Sequence, residues 1–560
     1  MTEKYSGAEA IQRETALVAW TALALGLVAL AYCVRHGTLL LYGDAVAHLH
    51  IARRVFDSNT PGFRQLGSVW LPFPHILLLP FVWNMTWWQN GLAGACLSIP
   101  SYVLGCAGIY RLARMWLDTP AAIVVVAFYG LNPGLLYMAT TAMTEPLFLA
   151  ELIWAVLLIV QYERALAAPI LAPAVMTNFR ASTDRPPSPE PAEDSSASRL
   201  LIAAGCVLVT AIFTRYDGWV YAAAAWLFAT SALIAARARW TWRGDVAGAW
   251  VLFTAMLVAA PSLWLAYNAK QFGDPLDFLR GPYSARAIEA RTSPAGSSPH
   301  PGVHNLQVSG VYFLKAAELG AAPERLGRLL CWLSAAGTVT SLWVFRRRQV
   351  WPVLLLWLPL PFYAYSVAYG SVPIFIPLWR PFSWYNTRYG MELLPAFALF
   401  AGCLFPLLFV RRPRLQRYAA LVSFLLVVGN SVVLLRSRPL VFQEAVVNSR
   451  SRIAFETALA KALLDIPGQG LIMMRVSGDV GAVQRAGIPL RRTVNEGDYL
   501  TWQRALKDPA RSASAVVSLD GDVVSQAVLQ HPEGLQLVNV ICSTGQPCAH
   551  IYRSELAGSR

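Results

Sequence analysis

The sequence predicts a mainly α-helical protein that crosses a membrane many times and ends in a small α/β domain outside it. Three observations predict this. Hydrophobic residues fill 56% of the 560 positions and charged residues only 14%, whereas soluble proteins carry about a quarter charged residues. The apolar residues fall into runs of the length a bilayer requires, about 20 residues. Twenty Trp and twenty-one Tyr suit a chain with many membrane–water interfaces, where amphipathic rings settle. The charge shortfall excludes an ordinary cytosolic enzyme. Unexceptional Gly and Pro contents without a period exclude a disordered or fibrous chain.

Apolar segments at 15–34, 91–110, 121–138, 147–163, 200–214, 218–236, 247–266, 326–345, 351–369, 390–410 and 418–435 predict about eleven transmembrane helices. The first is too long for the apolar core of a signal peptide and has no small-x-small cleavage site. Loops 111–118, 161–199, 237–243, 346–348 and 411–417 hold sixteen Lys and Arg; the alternate loops 35–75, 139–146, 215–217 and 370–388 hold seven. Basic residues mark cytoplasmic loops, so the N-terminus is expected in the cytoplasm and the C-terminus beyond the inner (plasma) membrane. Clusters such as Arg346-Arg347-Arg348 and Arg411-Arg412-Pro413-Arg414 account for the net charge of +14. Nucleic-acid binding is not needed to explain it.

Residues 1–435 read as the transmembrane domain. Within it, 168–198 is rich in Pro, Ser and Ala and reads as a disordered cytoplasmic loop. The segment 267–325 is long enough to have structure of its own over the outer face, with a mobile middle. Residues 436–560 mix a helical stretch at 449–464 with strand-like runs at 470–476 and 514–519, an outer α/β domain. Six cysteines (Cys33, Cys96, Cys106, Cys206, Cys331, Cys403) lie in apolar stretches and read as packing residues. Cys542 and Cys548 flank a Ser-Thr-Gly-Gln-Pro turn, where a disulfide would require an oxidising compartment. No internal repeat is visible, which argues against a transporter.

The ionisable residues that interrupt the apolar pattern gather on one side. After the first span, Asp44 to about Phe56 is amphipathic, with Val46, Leu49, Val55 and Phe56 available for the lipid interface. Asp44 starts that helix, where the dipole favours a carboxylate; simple capping is the plainer role. His48 follows one turn later on the same face. In Trp70-Leu71-Pro72-Phe73-Pro74-His75 the prolines are expected to keep the chain extended and bring His75 to the membrane surface. Glu145 is the sole charge between about 119 and 150, and an ionisable group at such depth points to function. Arg215 and Asp217 lie between two spans, where a structural ion pair accounts for both. Arg388-Tyr389 ends an outer segment whose arginines and aromatic rings suit an anionic lipid headgroup or membrane anchoring.

In this order the features resemble the C-type (GT-C) membrane glycosyltransferases that use polyprenyl-phosphate sugars, a superfamily that includes protein O-mannosyltransferases and lipid A aminoarabinose transferases. The likeness is best over about residues 15–165, then at Arg388-Tyr389 and in the plan of spans followed by an outer domain. Such enzymes carry an acidic motif, often Asp-Glu, in the first outer loop. Asp44-Ala45 matches its first acid and lacks the second. Glu145-Pro146 matches a family acid before a Pro at the fourth span. His75 falls where a basic residue precedes the second span, and Arg388-Tyr389 resembles the phosphate-side arginine motif.

The resemblance implies transfer of a sugar, of hexosyl or mannosyl type, from a polyprenyl-phosphate donor to an acceptor hydroxyl at the outer face, with inversion. Asp44 would be the base that takes the hydroxyl proton. Arg388, with Arg215 or His75, would bind the leaving phosphate. Glu145 would orient the acceptor or a basic partner, and His48, Tyr389 and Asp217 would support these groups. The expected partners are the lipid-linked donor, membrane lipid and an acceptor in the cell envelope (protein, lipid or polysaccharide), with no nucleic acid. Asp44, Glu145 and a histidine also suit a divalent metal, and no signature such as His-Glu-x-x-His accompanies them. Two other classes stay open. A carrier for a lipid-linked sugar would place its charges at mid-membrane, and a scaffold would use Asp44 and Glu145 only as caps.

Overall fold

The computed structural model describes residues 2–167, 194–238, 244–292, 299–345, 348–409, 412–466, 470–477 and 480–556. Most of the expected disordered loop, the middle of 267–325, and Arg346, Arg347 and Arg411 lie outside them. Among the described residues, eight helical stretches are long and apolar enough to cross a membrane, so this is an integral membrane protein.

The helices follow the expected spans with physical amendments. The first is α1 (Thr2–Arg35), followed by α2 (Gly43–Arg54), α3 (Phe73–Val82), α4 (Met85–Asn90) and α5 (Leu92–Ala113). The prolines at 72 and 74 do not hold an extended strand. Pro72 caps α3 and Pro74 sits in its first turn, where a missing N–H costs nothing. The segment 121–138 is two helices, α6 (Thr119–Gly130) and α7 (Pro133–Met138). The break comes at Asn132, whose side chain accepts the Leu135 N–H at 3.0 Å, a local cap that ends one helix and starts another. Then come α8 (Glu145–Ala167), α9 (Asp194–Thr214), α10 (Asp217–Ala238) and α11 (Gly244–Phe272). The span expected at 200–214 thus begins six residues earlier, within the segment assigned to the disordered loop.

The segment after α11 carries α12 (Asp277–Arg280), α13 (Ala285–Thr292) and α14 (Leu306–Ala321). Next are α15 (Glu324–Phe345) and α16 (Pro359–Tyr369), the latter entered through a 3₁₀ helix at Arg348–Trp357. A second 3₁₀ helix, Thr387–Leu393, leads into α17 (Leu394–Leu408), then α18 (Pro413–Ser437) and α19 (Leu440–Leu464).

The tail ends in a five-stranded sheet of order β2-β1-β3-β5-β4, with β1 (Ile472–Met474), β2 (Thr493–Val494), β3 (Ala515–Leu519), β4 (Leu535–Ile541) and β5 (Ala549–Ser554). β1 runs parallel to β2 and β3, while β5 pairs antiparallel with β3 and β4. Cys542 and Cys548 form a disulfide beyond β4.

The tail is docked on the segment between α2 and α5. Asn59 donates to Thr493 O at 2.6 Å, Gln65 to Gly497 O at 2.9 Å and Gln484 to Trp88 O at 2.5 Å. Val46 and Leu49 of α2, expected in the lipid interface, are buried in the core instead.

Candidate active site

Along α2, Asp44, Ala47, Ile51 and Arg54 share one face and line a cavity of about 1400 Å³. Their spacing is that of one side of a helix. The opposite face (Ala45, Val46, Leu49, Ala52) is buried. The cavity exceeds the roughly 300–1,000 Å³ of a small-molecule site, leaving room for two substrates. Arg388, Tyr389, Tyr385 and Arg380 line it from the segment before α17, and Glu496 and Tyr499 from the tail.

Arg388 is the hub. Its Nη2 lies 2.5 Å from Asp44 Oδ2, its Nε donates to Glu145 Oε1 at 3.1 Å, and its Nη1 lies 3.5 Å from Glu444 Oε1. The guanidinium also rests over the rings of Tyr42 and Tyr389, 5.4 and 4.9 Å from their centroids. Burial works against its charge, but Asp44, Tyr389, Glu145 and Glu444 hold it protonated well above the usual arginine range. Glu145 begins α8 and is also 3.4 Å from Arg215 Nη1. One buried carboxylate therefore ties two arginines together.

Arg215, expected at the phosphate, is occupied from within. It contacts Asp217 at 3.4 Å, Glu392 at 3.1 Å, Tyr363 OH at 2.6 Å and Thr144 Oγ1 at 3.2 Å, and it does not line the cavity. Its donors go to this network, which places it behind the cavity and in the ion pair with Asp217 that the sequence suggested.

The histidines also differ from expectation. His75 is fully buried, and its Nε2 lies 2.9 Å from His48 Nδ1. It does not line the cavity. His48 bonds His75 and not Asp44, and packs on Trp70 with ring centroids 4.3 Å apart. Burial, aided by Arg388 and Arg215, pulls His48 down to about 3. Burial lowers His75 well below the imidazole range too, with His48 and Arg54 adding to it. Two neutral rings can share one N–H between them, whereas two cations could not.

The structure thus brings Asp44, Arg388 and Tyr389 to the cavity, places Glu145, Arg215 and Asp217 behind them, and sets His48 and His75 apart. Among the described residues no group of three His, Cys, Asp or Glu is placed to hold a metal; Arg388 stands between Asp44 and Glu145. Sequence reasoning missed Tyr363, Glu392 and Glu444. Glu444 carried a signal, being the sole acidic residue between Glu392 and Glu456.

No family model matches the chain, and no curated protein is similar in sequence. Solved structures are similar. ArnT from Cupriavidus metallidurans in the apo state superimposes with a TM-score of 0.51 at 15% identity, over 97% of this chain and 99% of that one. The same protein bound to undecaprenyl phosphate gives 0.53 at 14%, with the same coverage. At such identity the likeness establishes fold. This chain folds as ArnT does.

Proposed function

We propose that this protein is a membrane glycosyltransferase that moves a sugar, of hexosyl type, from a polyprenyl-phosphate donor to an acceptor hydroxyl at the outer face of the inner membrane, with inversion. The observation that carries the reading is the partly exposed carboxylate of Asp44 beside the Arg388 guanidinium in one large cavity. Asp44 takes the proton as the acceptor oxygen attacks the anomeric carbon, and the bond from that carbon to the phosphate oxygen breaks. The departing lipid phosphate gains a negative charge, which Arg388 receives. Glu145 fixes Arg388, and Arg215 with Asp217 fixes Glu145. ArnT bound to undecaprenyl phosphate makes that lipid the first donor carrier to test. The Cys542–Cys548 disulfide fits a tail beyond the inner membrane, where oxidation is possible.

The test is transfer from a panel of radiolabelled polyprenyl-phosphate sugars in nanodiscs, with wild type beside Asp44→Asn and folding checked in both. Acceptor-dependent transfer that Asp44→Asn abolishes supports the reading and identifies the sugar. Translocation of the lipid without transfer replaces it with a carrier.

A further inference from the structure

The helix that opens the tail reaches the site from behind, and it touches both halves. Glu444 on α19 is buried. Its Oε1 accepts the Asn386 N–H at 3.0 Å and its Oε2 the Thr387 N–H at 2.8 Å, while the Thr387 hydroxyl donates to Oε2 as well. Arg388 Nη1 completes the set at 3.5 Å. Three consecutive residues therefore converge on one carboxylate.

Asn386 makes this convergence possible by adopting a left-handed conformation, φ 56° and ψ 22°, which Asn tolerates better than most residues. The carboxylate acts as a cap from outside the segment, satisfying N–H groups that the start of a 3₁₀ helix leaves orphaned. That helix, Thr387–Leu393, carries Arg388, Tyr389 and Glu392.

The same α19 also grips the chain leading into α2. Tyr42 OH donates to Val441 O at 2.8 Å, and Arg452 Nη2 donates to Leu40 O at 3.0 Å and Leu41 O at 2.8 Å. Asp44 follows two residues after Tyr42. One helix thus fixes the approach of the base and the seat of the arginine.

We propose that Glu444 is a positioning residue, and that α19 of the tail sets the spacing between Asp44 and Arg388. The proposal rests on the glycosyltransferase reading for its consequence, but not for its geometry. Glu444 does not line the cavity, so it touches no substrate and acts through Arg388.

Charge and position predict opposite results, which makes the test decisive. Removing a negative charge beside a guanidinium that receives a phosphate should tighten anion binding if electrostatics alone matter. Loss of positioning should weaken it. The full-length protein in nanodiscs is titrated with undecaprenyl phosphate as wild type, Glu444→Ala, Glu444→Gln and Glu444→Asp. Glu444→Ala is expected to bind about tenfold more weakly or worse, Glu444→Gln less so, and Glu444→Asp is expected to recover much of the loss. Amide hydrogen exchange over 386–393 is measured in the same samples, and Glu444→Gln carries the test if the alanine variant does not fold.

Faster exchange at 386–389 with weakened binding supports the proposal. Unchanged or tighter binding in a folded Glu444→Ala overturns it, as does unchanged exchange at those amides. Wild type that fails to bind undecaprenyl phosphate argues against the glycosyltransferase reading instead, and exchange then decides whether α19 clamps the 3₁₀ helix.

Discussion

Asp44 Oδ2 and Arg388 Nη2 lie 2.5 Å apart although the two residues are separated by 344 positions in the chain. Of the three carboxylates on that guanidinium, Asp44 is 41% exposed while Glu145 and Glu444 are 1% and 2% exposed. Under the proposed function, Asp44 is therefore the partner that a ligand phosphate would displace. The phosphate would take the Nη2 side of Arg388, and the freed carboxylate would face the acceptor hydroxyl.

That exchange separates binding from chemistry. Asp44→Asn is expected to lower transfer by about 10²–10⁴-fold, the range of a lost general base, while undecaprenyl phosphate binds at least as tightly as to wild type. The check is a titration beside the transfer assay. A parallel loss of both would mean that Asp44 holds the site together and does not serve as its base.

Glu145 joins Arg388 and Arg215 through one oxygen, at 3.1 and 3.4 Å. Without it, two buried like charges lose their shared counter-ion. Glu145→Ala is expected to destabilise the protein by about 3 kcal/mol, as breaking a buried pair does, and Glu145→Gln less, because an amide oxygen still accepts. Thermal unfolding in detergent measures both. Equal melting temperatures for wild type and the alanine variant would contradict the network.

The His48–His75 pair makes stability depend on pH. His48 is held at about 3 in the folded protein and returns to about 6.5 when unfolded. Between those values the unfolded chain binds more protons, so stability rises with pH. The contribution is complete above about 6.5 and is lost at up to about 1.4 kcal/mol per unit as pH falls below it. The melting temperature should thus drop between pH 7 and pH 5, and His48→Phe should show a smaller drop. A variant as acid-sensitive as wild type would remove His48 from the explanation.

Gly390 lies in the 3₁₀ helix two residues beyond Arg388, and a methyl group there would run into the backbone of Ala316 and Ala317 on α14. Only a residue without Cβ permits so close an approach. Gly390→Ala is expected to shift the helix that carries Arg388 and weaken undecaprenyl phosphate binding about tenfold. Its melting temperature should fall less than that of Glu145→Ala, because no buried charge is stranded. Binding equal to wild type would show that the segment absorbs the methyl without moving Arg388.

Much of this was legible in the chain because it is local. A run of apolar residues declares a membrane helix regardless of its neighbours, and an isolated charge such as Glu145 within one announces itself by its cost. Asp44 could be read from its place at a helix start, and Arg388 from its aromatic surroundings. Asn132-Pro133 held the signal that divides α6 from α7, but apolar runs on both sides concealed it. His75 was misplaced for a different reason. Its helix starts at the prolines and turns the ring inward, which depends on what packs against it.

The sequence by itself determined the membrane-spanning helices, the small mixed tail and the places of Asp44 and Glu145 at helix starts, since hydrophobicity and helix-start preferences act within one segment. The tertiary structure alone decided which charges meet. Glu392, Tyr363 and Glu444 become parts of one network only when α10, α16 and α19 pack around the 3₁₀ helix that carries Arg388. A buried charge is tolerated only beside its counter-charge, and that partner is supplied by packing across hundreds of residues.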